Sequence, residues 1–229
     1  MYYEDAANKY IIKSEYYLKP SSNDIKFNFE NKTYTFKLNL VYLNNFNSDG
    51  LDADNWLQKP SNWVSASNKK LLLDRSKTDI AKMNFIGFRR RFDGDIQVSV
   101  DFKIQGHPVY TTFFLREGLS LTIGSNDNKT IQLIRAVNVD GDPVNEKLDQ
   151  QYFKFVVGSD YKLVMKRTGH TYTYDIFDSN KNSIKHIEYN DNNGNGNIIN
   201  YYKGIGIGLW KNGRGIEINN IKIESKEKL

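Results

Sequence analysis

Cysteine is absent from the 229 residues, which excludes disulfides and thiolate metal sites and leaves packing as the source of stability. No apolar run is long enough to cross a membrane as a helix. The N-terminal stretch MYYEDAANKY carries neither the charged leader nor the apolar segment of a signal peptide. The chain therefore reads as soluble. An extracellular or cell-surface location is expected where a leader has been removed ahead of Met1, with a virion as the other setting. No apolar stripe of period 3.6 persists over three turns, which excludes long amphipathic helices. Charge of one sign is not gathered either: 32 basic residues are interspersed with 27 acidic ones for a net charge of +5, and only FRRRF, from Phe88 to Phe92, is dense. A nucleic-acid binder collects its basic residues on one face, so nucleic acid is not expected as a partner.

What the chain has in quantity is aromatic side chains, with 15 Tyr and 13 Phe, and alternation of period two, both of which suit pleated, half-buried surfaces. Ile25, Phe27 and Phe29 alternate before the turn ENK, and Tyr34, Phe36, Leu38, Leu40 and Tyr42 alternate after it, as in a hairpin. Further strands are expected at Ile96–Ile104, Leu119–Ile123, Ile131–Leu133, around Leu163 and Met165, and at Tyr172–Ile176 beyond the turn TGH. Near the end, GIGIGLW precedes GIEINNIKIE, where the isoleucines at 216, 218, 221 and 223 change phase at Asn219 and Asn220 as a β-bulge requires. The Asn/Gly run NDNNGNGN, Asn190 to Asn197, reads as a mobile loop. Many short strands with close turns predict an all-β sandwich.

The segments NNFNSDGLDADNW, KKLLL, DGDIQVSVDFKI, TTFFLREGLSLTI, YKLVMKRTGHTYTYDIFDSNKN and GIGIGLWKNGRGIEINNIKI resemble the concanavalin A-like lectin/glucanase superfamily, in particular its laminin G-like and glycosidase-appended modules. The resemblance runs from about Leu40 to Ser225. It implies one two-sheet antiparallel jelly-roll domain over 1–229, with 1–20 as an edge strand or appendage, and the strand FFLR in the concave sheet. It also implies structural calcium in some members. The sequence departs from the superfamily's enzymes, whose strand-borne acidic triplet, suited to a retaining mechanism, has no counterpart here.

Three histidines, His107, His170 and His186, lack zinc-site spacing. The acidic turn NSDGLDADN offers Asp49, Asp52 and Asp54 as oxygen ligands of the kind a hard cation takes, though without an EF-hand template; NVDGD, from Asn138 to Asp142, is the weaker counterpart. The remaining constellation is aromatic and planar-polar. Sugars stack C–H faces on Trp and Tyr rings and pair hydroxyls with fixed polar groups, which makes Trp63, Tyr110, Arg116, Tyr202 and Trp210 the candidate ligand-binding residues. Arg116 in FFLRE places a charge among apolar strand residues, where it needs a partner or a ligand. Trp56 is expected to pack in the core. The sequence thus predicts a non-catalytic, lectin-like module for a polysaccharide or glycan. A glycoside hydrolase or polysaccharide lyase of the same fold, and an interaction domain with a protein partner or a larger parent chain, are the alternatives.

Overall fold

The computed structural model describes residues 2–5, 10–13, 24–29, 32–37, 40–44, 46, 51, 56–59, 64–73, 84–89, 95–116, 119–124, 129–139, 142–191, 204–210, 213–214 and 216–225. None of these is helical. Two antiparallel hairpins come first, β1 (Tyr2–Asp5) with β2 (Tyr10–Lys13) and β3 (Asp24–Phe29) with β4 (Lys32–Lys37). The strands that follow are β5 (Leu40–Asn44), β6 (Trp56–Lys59), β7 (Val64–Ser67), β8 (Lys70–Leu73) and β9 (Asn84–Phe88). The middle of the chain supplies β10 (Ile96–Ile104), β11 (Thr111–Arg116), β12 (Leu119–Ile123), β13 (Thr130–Val139) and β14 (Asp142–Tyr152). Last come β15 (Asp160–Thr168), β16 (Thr171–Asp178), β17 (Ser183–Asn190), β18 (Gly206–Leu209) and β19 (Ile216–Ser225).

Two large antiparallel sheets contain all but the hairpins. One has the order β17-β16-β15-β10-β19-β8-β7, with β5 also pairing β19; the other has the order β14-β13-β12-β11-β18-β9-β6. Period-two alternation sends one face of each strand inward. In the first sheet Val98, Val100, Phe102, Leu163, Met165, Tyr174, Ile218 and Ile223 are buried; in the second, Ile86, Phe113, Leu121, Ile123, Leu133 and Leu209 are. These residues form one apolar cluster, and Phe102 of β10 meets Phe113 of β11 across it at 5.6 Å. Trp56 is in the core as expected, 2% exposed and edge-on to Phe88 at 5.2 Å.

The β-bulge is present: Asp101 opposes Asn220 while Phe102 opposes Ile218. The extra residue, Asn219, absorbs the phase change and keeps Ile221 and Ile223 inward. One expectation is corrected. The alternation from Tyr34 to Tyr42 is not a single hairpin arm, because β4 ends at Lys37 paired with β3, whereas β5 begins at Leu40 and pairs β19. Alternation persists across a break when both pieces are strands, so periodicity alone does not reveal the change of sheet.

The outer faces differ in chemistry. On the first sheet the outward side chains are charged and paired: Lys162 with Asp101 at 3.5 Å, Lys103 with Asp160 at 3.7 Å, Lys222 with Glu224 at 2.7 Å and Lys70 with Glu217 at 2.8 Å. On the second sheet the described outward side chains of β11, β12 and β13 include Thr112, Phe114, Ser120, Thr122, Thr130, Gln132 and Ile134, all uncharged, with Lys147 of β14 opposite Ile134. Among the described residues of that face no carboxylate is present.

Candidate functional site

The backbone ladder between β11 and β18 runs past both strand ends. Thr111 opposes Leu209, and one step further the Trp210 amide donates to the Tyr110 carbonyl at 3.1 Å. Tyr110 and Trp210 are therefore cross-strand neighbours, and since Thr111 and Leu209 point into the core, the two rings point to the outer face. They stack with centroids 5.5 Å apart and planes at 19°. Both remain half-buried, so each keeps accessible ring surface.

Several features hold the pair in place. The Trp210 Nε1–H donates to Thr112 Oγ1 at 2.6 Å, and Thr112 Oγ1 lies 2.7 Å from Thr122 Oγ1. Both threonines are 1% exposed, so they anchor the indole rather than offer hydroxyls to a ligand. Tyr110 adopts φ of +34°, in the left-handed region where a non-glycine residue is held under strain of about 1–3 kcal/mol. Its amide donates to the Gly124 carbonyl at 2.8 Å. Gly124 itself has φ of +60°, and a Cβ there would lie 2.6 Å from Val109 Cβ. A Cβ on Gly213 would lie 2.5 Å from Leu209 Cδ1, so that glycine lets the segment after Trp210 fold back, where the Arg214 amide donates to the Pro108 carbonyl at 2.8 Å.

Of the residues singled out in the sequence, Tyr110 and Trp210 are thus brought together. Arg116 is the last residue of β11, with its backbone opposite Leu119; its side chain, together with Trp63, Tyr202, Asp49, Asp52 and Asp54 and the run from 192 to 197, lies outside the described residues. Sequence reasoning missed a polar strip beside the ring pair. Register places Gly208, Thr112, Thr122, Gln132 and Gln150 opposite one another in turn across five strands. Gln132 and Gln150 are half-exposed, with Gln132 Nε2 donating to Gln150 Oε1 at 3.3 Å.

A second polar cluster joins the two sheets along one flank. Arg135 of β13 donates to Glu146 Oε2 at 2.6 Å and to the Tyr189 hydroxyl at 3.0 Å, and Asp191 stands 3.7 Å away. The Glu146 hydrogen bond raises the Arg135 guanidinium further above its ordinary range, which fixes it as a permanent cation tying β13 to β17. His186 is exposed on β17 with its Nδ1 2.6 Å from Asp175 Oδ1. Among the described residues no group of three acidic or histidine side chains has metal-site geometry, and no helix is long and apolar enough to cross a membrane.

No protein-family model matches the chain, and no curated protein matches it by sequence. Solved structures do match in shape. The metal-free exoplasmic/lumenal domain of VIP36 aligns with a TM-score of 0.57 at 12% identity, covering 81% of this chain and 91% of that one. Ulex europaeus lectin I, in complex with the methyl glycoside of α-L-fucose, aligns at 0.55 and 12% identity over 82% and 98%. The chain folds as a concanavalin A-like jelly roll. The Bacillus subtilis carbohydrate-binding module CBM66 shares the jelly roll at 0.52 and 12% identity, over 75% and 96%. At such identities the likeness is one of fold. Within this jelly roll the Tyr110–Trp210 pair stands at one end of the central ladder of the seven-stranded sheet.

Proposed function

We propose that this protein is a non-catalytic carbohydrate-binding module that takes a glycan on the outer face of its seven-stranded sheet, with Tyr110 and Trp210 as the stacking platform. The observation that carries this reading is the stacked, half-buried ring pair, anchored by a buried threonine and bordered by the half-exposed amides of Gln132 and Gln150. Sugar rings present apolar C–H faces and neutral hydroxyls, so aromatic area together with uncharged donors and acceptors is complementary to them. Gln132 and Gln150 supply both donors and acceptors within the same strip. Lectins and a carbohydrate-binding module among the structures of the same fold support the reading. Trp63, Arg116 and Tyr202 are proposed as additional contacts, and Asp49, Asp52 and Asp54 as a structural calcium site.

The test is an affinity screen of the purified protein against soluble polysaccharides and a glycan array, repeated with Trp210→Ala and Tyr110→Ala under circular dichroism control. Binding by the native protein that weakens at least about tenfold in a folded Trp210→Ala variant is the expected result. Reducing-sugar release or unsaturated-product absorbance from the same panel would replace this reading with a hydrolase or a lyase. Silence toward every glycan, with a complex or oligomer in light scattering, would replace it with a protein-interaction domain. Calorimetric titration with calcium is expected to give heat and a higher melting temperature; no heat and no shift would remove the calcium proposal.

A further inference from the structure

Tyr152, the last residue of β14, is 68% exposed, an unusual position for a phenol in a protein that buries most of its described aromatics. Its backbone opposes Thr130. The Thr130 carbonyl accepts from the Gly124 amide at 2.8 Å, and the Gly124 carbonyl accepts from the Tyr110 amide at 2.8 Å. Trp210, Tyr110, Gly124, Thr130 and Tyr152 therefore form one row across five chain segments, parallel to the glutamine row beside it. Three strand spacings separate Tyr110 from Tyr152, about 14 Å. Between these rings Gly124 and Thr130 are buried, so the accessible surface linking them is that of Gln132 and Gln150 in the neighbouring row.

The glutamines border this low stretch and orient its far end. Gln150 Oε1 accepts from Gln132 at 3.3 Å and from Lys147 Nζ at 2.7 Å, which turns its Nε2 toward the Tyr152 hydroxyl at 3.5 Å. That contact holds the phenol on the outer face. Aromatic surface therefore stands at both ends of a strip whose accessible middle is the Gln132 and Gln150 amides, over a distance well beyond one sugar ring.

We propose that Tyr152 is a second stacking station, so that the ligand is a linear, uncharged oligosaccharide laid across β11 to β14 and held at several successive units, rather than a single terminal sugar. This rests on the carbohydrate-binding reading above. A chain running perpendicular to the strands meets Trp210 and Tyr110 first, passes Gln132 and Gln150, and ends on Tyr152.

The experiment is calorimetric titration with cello-, xylo-, manno- and laminari-oligosaccharides of one to six units, using the native protein, Tyr152→Ala and Trp210→Ala. Tyr152 is exposed, so its replacement leaves the core intact; Tyr152→Phe serves as a second variant that keeps the ring and loses only the hydroxyl. For the series that binds, affinity is expected to climb with chain length. Tyr152→Ala should flatten that climb by about tenfold at the longest oligomers, leave the shortest binding oligomer unchanged, and be rescued by Tyr152→Phe. Trp210→Ala should lower affinity at every length. If monosaccharides bind as tightly as hexamers, or Tyr152→Ala changes nothing while Trp210→Ala abolishes binding, the second station is wrong and the platform stands. If no series binds the native protein, both readings fall.

Discussion

At the scale of single residues, the placement of hydroxyl groups separates structural aromatics from accessible ones. Tyr174 is buried between the sheets, and its hydroxyl has no hydrogen-bond partner among the described residues. Burial pushes its phenol well above the ordinary tyrosine value, with Tyr172 adding to the shift. A raised folded-state value means the stabilising difference is whole below the unfolded value of about 10 and is lost as pH rises past it. Tyr174→Phe removes an unsatisfied buried group and is expected to raise stability by about 1 kcal/mol near neutral pH. The gain should widen on approach to pH 11, which urea denaturation across that range measures; a variant that is less stable, or a gap that narrows, would contradict it. Trp210 solves the same problem differently, since its N–H finds Thr112 and its ring stays partly open. Thr112→Val should cost about 1–2 kcal/mol by stranding the indole N–H and shift the tryptophan emission. Tyr110 and Trp210 were each legible in the sequence as candidate ligand-binding aromatics. Their stacking was not, because they are far apart in sequence and only the β11–β18 pairing shows that they meet.

At the scale of strands, legibility followed apolar alternation. Strands β10, β12, β15, β16 and β19 carry inward Ile, Val, Leu, Met, Phe or Tyr at most alternate positions and were readable. Strand β14, DPVNEKLDQQY, was not, because it is the edge strand of its sheet, and a strand at the rim has few positions that packing forces to be apolar. That missed strand carries Gln150 and Tyr152, so the part of the site it supplies was missed with it. The bulge in β19 was readable because the isoleucine spacing changes from two to three at Asn219. Deleting Asn219 restores an even spacing and leaves Ile221 and Ile223 inward, whereas deleting Lys222 sends Ile223 to the opposite face. The first deletion should therefore retain a cooperative thermal transition and the second should abolish it. Comparable melting of both variants would refute this account of the bulge.

At the scale of the whole molecule, the two outer faces divide the work. The eight-stranded sheet meets solvent with exposed ion pairs, each worth little to stability, while the described outer surface of the seven-stranded sheet presents the Tyr110 and Trp210 rings and the Gln132 and Gln150 amides, with Lys147 beside them. Binding of a neutral glycan at these rings and amides is expected to change little between low and high salt, because the ligand carries no charge for ions to screen. A steep salt dependence would point to a charged ligand elsewhere on the protein. Topology adds a constraint of another kind. Strands β18 and β19 come late in the chain yet lie inside their sheets, β18 between β11 and β9 and β19 between β10 and β8. While the ribosome is still synthesising the chain ahead of β18, β9 and β11 have no strand to join them, and β10 lacks its neighbour on one side. Both sheets must wait for the same late stretch of chain, and the ring of Trp210 arrives with it. Ligand recognition by a nascent chain should therefore switch on only once this stretch has cleared the exit tunnel.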